Sequence, residues 1–290
     1  MSVLSVRYDP EVQRAVGSYQ LGLPRMPVAG RSGELLGRAT GSSLEFQEYR
    51  EYTPGDDVRH IDWPAYARSD TLMVRMYREE ISPRLQILVD ASRSMTTFGN
   101  AKAEVSRQLA AVFALLSGQL GGRPEIIPLD DHRPLRRIGT ESLDLVAQLA
   151  FDGVRPLPDL IAESASSLGR RAVRVVISDF LFPHDPSALI RQLAAGASVL
   201  WVVQVLAGWE ADPLAEGVRK LIDVENSFET DLILDRPTVA AYRERLKRLQ
   251  EGLAINCRRA HARFVTLVAD KGLQALCREE LCRVEMLRPV

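Results

Sequence analysis

Cysteine is scarce in this chain, and long apolar runs are missing altogether. The three cysteines, Cys257, Cys277 and Cys282, sit near the C-terminus without CxxC spacing and without paired histidines nearby. An odd, sparse set of this kind suits reduced thiols and argues against a disulfide framework or a zinc site. The most apolar window, Val199–Leu206, is far too short to span a bilayer. The N-terminus, MSVLSVRYDPEVQR, turns polar too early for a secretory signal. Neither sign of charge dominates. With 37 Lys and Arg against 38 Asp and Glu, the formal net charge is −1, which provides no global attraction to nucleic acid or an anionic membrane. There is no G-x-S-x-G elbow, and none of the four histidines lies in a catalytic motif. These absences together predict a cytoplasmic protein with no nucleic-acid partner and no membrane insertion.

What is present suits a folded globular chain. Apolar residues at 46% can build a sizeable core, and charged residues at 26% are ordinary for a globular surface. A length of 290 residues allows one large domain, or a medium one with an appended smaller one. From residue 84 onward, apolar runs alternate with helical stripes. Leu85–Val89 reads as a strand buried on both faces. Asn100–Leu120 carries Val105, Leu109, Val112, Phe113, Leu116 and Leu120 on one stripe and stops at Gly121-Gly122. Glu125–Leu129, Val173–Ile177, Val199–Leu206 and Phe264–Val268 follow as strands, the third of them the most hydrophobic and expected at the centre. A further short strand is expected at Leu232–Leu234. Helices are predicted over Leu143–Leu149, Leu160–Leu168, Pro186–Ala195, Pro237–Arg259 and Leu273–Cys282. This alternation predicts an α/β fold, a doubly wound and mostly parallel sheet of Rossmann type, over residues 84–290.

Residues 1–83 read as a flanking segment, irregular or β in character. A first helix is predicted over Asp9–Leu21, with Pro10 in its first turn and Gly22 past its end. Gly30–Ser43 is glycine- and serine-rich and reads as irregular. Residues 45–80 form a separate compositional block, and six of the seven tyrosines occur before residue 78. Pro54-Gly55-Asp56 signals a tight turn, and the alternation over Leu72–Tyr77 suits a strand. Arg50, Arg59, Arg68 and Arg75 are interleaved with Glu48, Glu51, Asp56, Asp57, Asp62 and Asp70. One reading is a web of ion pairs that fixes a loop-rich segment. The other is a recognition surface, since charges beside exposed aromatics suit partner docking. Adjacent Asp56 and Asp57 point apart on a turn, which disfavours paired acid–base chemistry.

The chemistry-bearing stretch is LQILVDASRSM. Asp90, Ser92 and Ser94 cluster oxygen atoms at the carboxyl end of a strand, and Asp179 ends a second strand about ninety residues later. In open α/β sheets ligands bind at this rim. Two carboxylates and two hydroxyls make a hard, all-oxygen site that suits Mg²⁺, which keeps several waters. The plain alternative is that Asp90 and Ser92 only cap the turn or helix that follows. A Mg²⁺-dependent phosphoesterase of haloacid-dehalogenase type also puts an aspartate at a strand end. Such an enzyme needs a second acid two residues on as proton donor, and this chain has Ser92 there.

Asp90, Ser92, Ser94 and Asp179 together resemble the metal-ion-dependent adhesion site of von Willebrand factor A domains. Gly33, Glu45-Phe46, Arg50, Tyr52, Pro54-Gly55-Asp56-Asp57-Val58-Arg59, Ile61-Asp62-Trp63 and Ala67-Arg68 resemble the box of the domain-of-unknown-function 58 family. The resemblance spans roughly residues 30–290 and implies an A-type domain behind the charged box. It implies a non-enzymatic adaptor, bacterial or archaeal, working with a MoxR-type AAA+ ATPase, and with a client protein, in complex assembly or maturation. It also implies Mg²⁺ on Asp90, Ser92, Ser94 and Asp179, with Arg50, Asp56, Asp57, Arg59, Asp62, Trp63 and Arg68 binding a partner or holding the box together. A metal-free scaffold acting through that box is the alternative. One departure stands out: the loop expected to supply a threonine ligand reads Arg155-Pro156-Leu157-Pro158-Asp159, and Pro158 has no side-chain oxygen.

Overall fold

The computed structural model describes residues 6–23, 44–54, 56, 58–79, 84–132, 135–164, 168–214, 217–222 and 229–290. The chain opens with α1 (Pro10–Ser18) and β1 (Tyr19–Leu21), then β2 (Leu44–Glu51), α2 (Trp63–Ser69) and β3 (Met73–Glu79). Next come β4 (Arg84–Asp90), α3 (Ala101–Gln119), β5 (Arg123–Leu129), α4 (Asp144–Ala147), α5 (Leu157–Ser164) and β6 (Ala172–Ser178). They are followed by α6 (Pro186–Ala194), β7 (Ala197–Leu206), α7 (Gly208–Ala211), β8 (Gly217–Ile222) and β9 (Glu229–Leu234). The last elements are α8 (Arg236–Arg259), β10 (Arg263–Val268), α9 (Leu273–Ala275), a π-helical turn over Leu276–Leu281, and β11 (Leu287–Pro289).

Five strands form an all-parallel sheet in the order β10-β7-β6-β4-β5. Side chains alternate between its two faces, as the strand period of two requires. Leu88, Val176 and Val202 pack under α5, α6 and α8, in a core with Leu160, Leu189, Leu193, Leu253 and Cys257. The opposite face is covered by α3, whose Phe113 packs on the buried Trp201 at a ring separation of 5.9 Å. Helices on both faces make the sheet doubly wound. The middle strand is β6; β7, expected at the centre, is interior but one place off it.

The helix punctuation is as the residues dictate. Gly121 and Gly196 lie at φ +70° and +74° just beyond α3 and α6, where a Cβ would be strained. Leu120, placed on the apolar stripe of α3, is exposed at the helix end. Expected helix 143–149 shrinks to the single turn of α4, and expected helix 160–168 starts three residues earlier as α5. Inside β6, Arg174 is buried and its guanidinium donates to the carbonyls of Leu193, Ala195 and Gly169.

Residues 1–22 and 83–290 form one compact unit and residues 23–82 a second. The first 22 residues thus belong with the sheet and do not flank it. The helix expected over Asp9–Leu21 ends at Ser18, because Tyr19–Leu21 pairs antiparallel with Leu287–Pro289. That pairing leaves no room beside Gly22, where an added Cβ would lie 1.8 Å from the Glu285 carbonyl oxygen. In the second unit, β2 and β3 pair antiparallel with a register shift between Phe46 and Glu48, so the described residues of the charged box include a β pair and the helix α2. The segment 30–43, Gly33 and Asp57 lie outside the described residues.

Candidate metal and docking site

The sheet order changes direction between β4 and β6: the chain leaves β4 toward β5 on one side and leaves β6 toward β7 on the other. A crevice opens at such a switch point beyond the carboxyl ends of the strands. Val89 is in register with Ile177, so Asp90 and Asp179 come to neighbouring positions on that rim. The Ser178 hydroxyl donates to Asp90 Oδ2 at 2.5 Å, and the Ser92 backbone N–H donates to Asp90 Oδ1 at 3.0 Å. Burial, and next the charge of Asp179, pushes the Asp90 carboxyl up to about 6.

Ser92 and Ser94 face each other, their hydroxyl oxygens 2.9 Å apart. Ser92 stands at the start of the 3₁₀ turn Arg93–Thr96, yet its side chain makes no capping bond. Capping therefore accounts for Asp90, which closes a two-residue turn, but not for the two hydroxyls. Gly153 runs alongside, its N–H on the Ala91 carbonyl and its own carbonyl taking the Arg93 N–H, both at 3.0 Å. A Cβ at Gly153 would lie 3.1 Å from the Ala91 oxygen, so glycine lets the loop approach. Asp131 holds the next two N–H groups, those of Val154 and Arg155. Pro158 falls in the first turn of α5 and Asp159 is exposed.

Asp179 has a different partner. The ammonium of Lys102, from the first turn of α3, is 3.0 Å from Asp179 Oδ2 and 2.6 Å from Glu210 Oε1. The Lys102 side chain is 0% exposed. Glu210, at α7, also accepts the Thr97 hydroxyl at 3.0 Å and the Ala207 N–H at 2.8 Å. Asp179 Oδ1 takes the Leu181 N–H at 3.1 Å, and its carbonyl takes the Gln204 amide at 2.9 Å. Lys102, Glu210 and Thr97 are not part of the sequence reading. A signal for Lys102 exists, since it falls three residues before Val105 and seven before Leu109, in phase with the buried stripe.

Above this network sits an aromatic pair. Phe98 is 54% exposed and stacks on Trp209 with ring centroids 4.6 Å apart and planes 21° apart. Its φ is +56°, unusual for a bulky residue, and buried Phe180, next to Asp179, lies at +55°. Backbone strain of this kind concentrates at functional sites.

The four rim residues differ in how they could serve an ion. Asp90, Ser92 and Ser94 present oxygen atoms whose contacts are with one another, with Ser178 and with the turn backbone, a donor set that fits a partly hydrated Mg²⁺. Among the described residues, no group of three or more His, Cys, Asp or Glu is arranged to hold a metal, so an ion bound here would have to draw on the hydroxyls.

In the second unit, the charged box divides by role. Asp56 takes the Thr53 N–H at 2.9 Å and the Arg50 guanidinium at 2.6 Å, and these bonds hold its carboxyl below the usual range. The bond from Asp56 N–H to the Thr53 carbonyl, 3.0 Å, closes the turn expected at Pro54. Asp62 is buried and caps α2, accepting the Ala65 N–H at 2.9 Å and the Tyr49 hydroxyl at 2.8 Å. Trp63, by contrast, is 58% exposed, with Tyr66 edge-on to it. Arg59 and Arg68 are also exposed.

The cysteines are consistent with inert core thiols. Burial pushes Cys257 and Cys277 up to about 12, and raises Cys282 as well. Since the thiolate is the nucleophile, native protein at pH 8 is expected to react with a thiol reagent at Cys282 alone, and at all three after denaturation. Counting released chromophore with and without denaturant checks this.

A parallel sheet with helices on both faces, whose switch-point strands lead into D-x-S-x-S and into a second aspartate, defines a doubly wound α/β domain. Among such chains, this one belongs to the family described as "Protein of unknown function DUF58", which matches residues 48–251. It is 26% identical over 241 residues to the uncharacterized proteins Rv1480 of Mycobacterium tuberculosis and Mb1516 of Mycobacterium bovis, covering 78% of this chain and 75% of each relative. Two crystal structures overlap more distantly. An aerotolerance-related membrane protein from Bacteroides fragilis is 16% identical with TM-score 0.40, covering 68% of this chain and 98% of that one. BatB from Bacteroides thetaiotaomicron, a conserved hypothetical protein, is 11% identical with TM-score 0.38, covering 70% and 98%. The architecture rests on the strand order itself and not on these overlaps. Among the described residues no helix is long and apolar enough to cross a membrane.

Proposed function

We propose that this chain is a non-enzymatic adaptor that docks a protein partner on the rim where β4 and β6 end. The partner class that the family resemblance supports is a MoxR-type AAA+ ATPase acting on a client in complex assembly or maturation. The observation that carries the reading is Phe98, a large aromatic held exposed at positive φ beside an acid–serine cluster. Exposed aromatics next to polar groups are the side chains on which interface energy concentrates. Asp90, Ser92 and Ser94 are the residues that would hold Mg²⁺, which when bound supplies open positions for a carboxylate of the partner. The enzymatic reading has less support, because no acid stands two residues after Asp90 to protonate a leaving group.

A second reading is favoured by one observation, the exposure of Trp63 and Tyr66 on α2. In that case the partner docks on the box without metal. Capture of a purified MoxR-type ATPase separates the two. Rim docking expects capture to be lost in EDTA and in Asp90→Ala, and kept in Trp63→Ala. Box docking expects the reverse. Asp62 is unsuited to this test, since its loss removes the cap of α2. Phosphoester turnover that disappears in Asp90→Ala would establish an enzyme instead.

A further inference from the structure

Lys102 is a charged side chain on the apolar stripe of α3, where its neighbours in phase are Val105 and Leu109. A wholly buried ammonium is tolerated only when it is paired and hydrogen-bonded. Its two partners come from different parts of the sheet rim, Asp179 at the end of β6 and Glu210 beyond the end of β7. Tyr242 of α8 closes the far side, its hydroxyl donating to the Glu210 carbonyl at 2.8 Å. Burial, then the charges of Glu210 and Asp179, raises that phenol to about 12, in keeping with two carboxylates at this point. No side-chain oxygen comes from Pro158 to complete a cage around Asp179.

We propose that the Lys102 ammonium is the resident cation of Asp179, so that a divalent ion at the rim is held by Asp90, Ser92 and Ser94 without the second aspartate. Asp179 and Glu210 then serve as the anionic sockets of a lysine strut. The strut ties the start of α3 to the ends of β6 and β7, and through Thr97 to the loop that presents Phe98. This assignment rests on the reading of the rim as a divalent-ion site. It changes which carboxylates that site uses.

The test measures Mn²⁺ binding by electron paramagnetic resonance, and melting temperature with and without 10 mM Mg²⁺ as an added probe concentration. In the wild-type background, Asp90→Asn is expected to weaken Mn²⁺ at least about tenfold, whereas Asp179→Asn changes it less than about threefold. Lys102→Met frees Asp179 and Glu210, so Mg²⁺ is expected to raise its melting temperature more than that of the wild type. Should Lys102→Met fail to fold, Lys102→Met with Glu210→Gln removes one charge of each sign and leaves the formal charge of the group unchanged. That double variant is expected to gain divalent-dependent stabilisation, and to lose the gain when Asp179→Asn is added. Equal loss of Mn²⁺ in Asp90→Asn and Asp179→Asn overturns the assignment, as does the absence of any Mg²⁺ effect in both lysine variants. If the wild type binds no Mn²⁺ while the lysine variants gain an Asp179-dependent response, the rim reading fails and the lysine assignment stands.

Discussion

Replacing Glu210 with alanine is expected to lower the unfolding free energy by about 3–5 kcal/mol, one of the largest single effects in the chain. The residue itself is only 5% exposed and lies on a one-turn helix, so its apolar contacts do not explain such a loss. The cost comes from what it leaves behind. Lys102 loses the closer of its two carboxylates and stays buried, and the Ala207 N–H loses its acceptor, whereas the Thr97 hydroxyl keeps the Ser94 carbonyl at 2.6 Å. Each orphaned donor adds about 1–3 kcal/mol on its own if buried. Glu210→Gln keeps one acceptor oxygen, enough for either Lys102 or the Ala207 N–H, and sets an NH₂ donor against the other, so its loss is expected to be smaller than that of alanine but still substantial, roughly half as great or more. Urea denaturation of the two variants, followed by tryptophan fluorescence, checks the pair. Trp209 next to Glu210 makes the signal sensitive to this loop. A loss under about 1 kcal/mol for the alanine variant would mean that Lys102 is satisfied without Glu210.

Phe98→Gly is expected to weaken partner capture by about 30-fold or more, equivalent to about 2 kcal/mol, while leaving the fold nearly as stable as before. The two effects separate because the forces on Phe98 nearly cancel within the folded chain. Stacking on Trp209 stabilises the loop by about 0.5–1.5 kcal/mol. Holding a bulky residue at φ +56° costs a comparable amount, which glycine relieves. Stability within about 1 kcal/mol of the parent, with affinity lost, marks a residue retained for binding. A loss of more than about 2 kcal/mol in stability with capture unchanged would make Phe98 a structural residue and sink the docking role.

The sheet domain was largely legible from local pattern. Leu85–Val89, Val199–Leu206 and Phe264–Val268 are apolar runs of strand length, and the stripe of α3 with Gly121 behind it can be read only as a buried helix. The missed strands share one cause, pairing between residues distant in sequence. Tyr19–Leu21 carries helical continuation from α1, and only β11, more than 260 residues away, draws it into a strand. Gly217–Ile222 pairs with Glu229–Leu234 in a ribbon of its own, of which only the second strand was expected, and shorter. Residues 44–51 look like charged loop, yet their backbone pairs with residues 73–79.

The same division holds at the site. The sequence by itself determined that two aspartates end strands, that two serines follow the first, and that Pro158 brings no oxygen. These are properties of single positions in a repeating pattern. Only the tertiary structure decided that β4 and β6 are neighbours, and hence that Ser178 binds Asp90. It also decided that Lys102, with no motif around it, lies between Asp179 and Glu210. The physical reason is that a buried charge is placed by the partner that neutralises it, and that partner can come from any element the fold brings within about 3 Å.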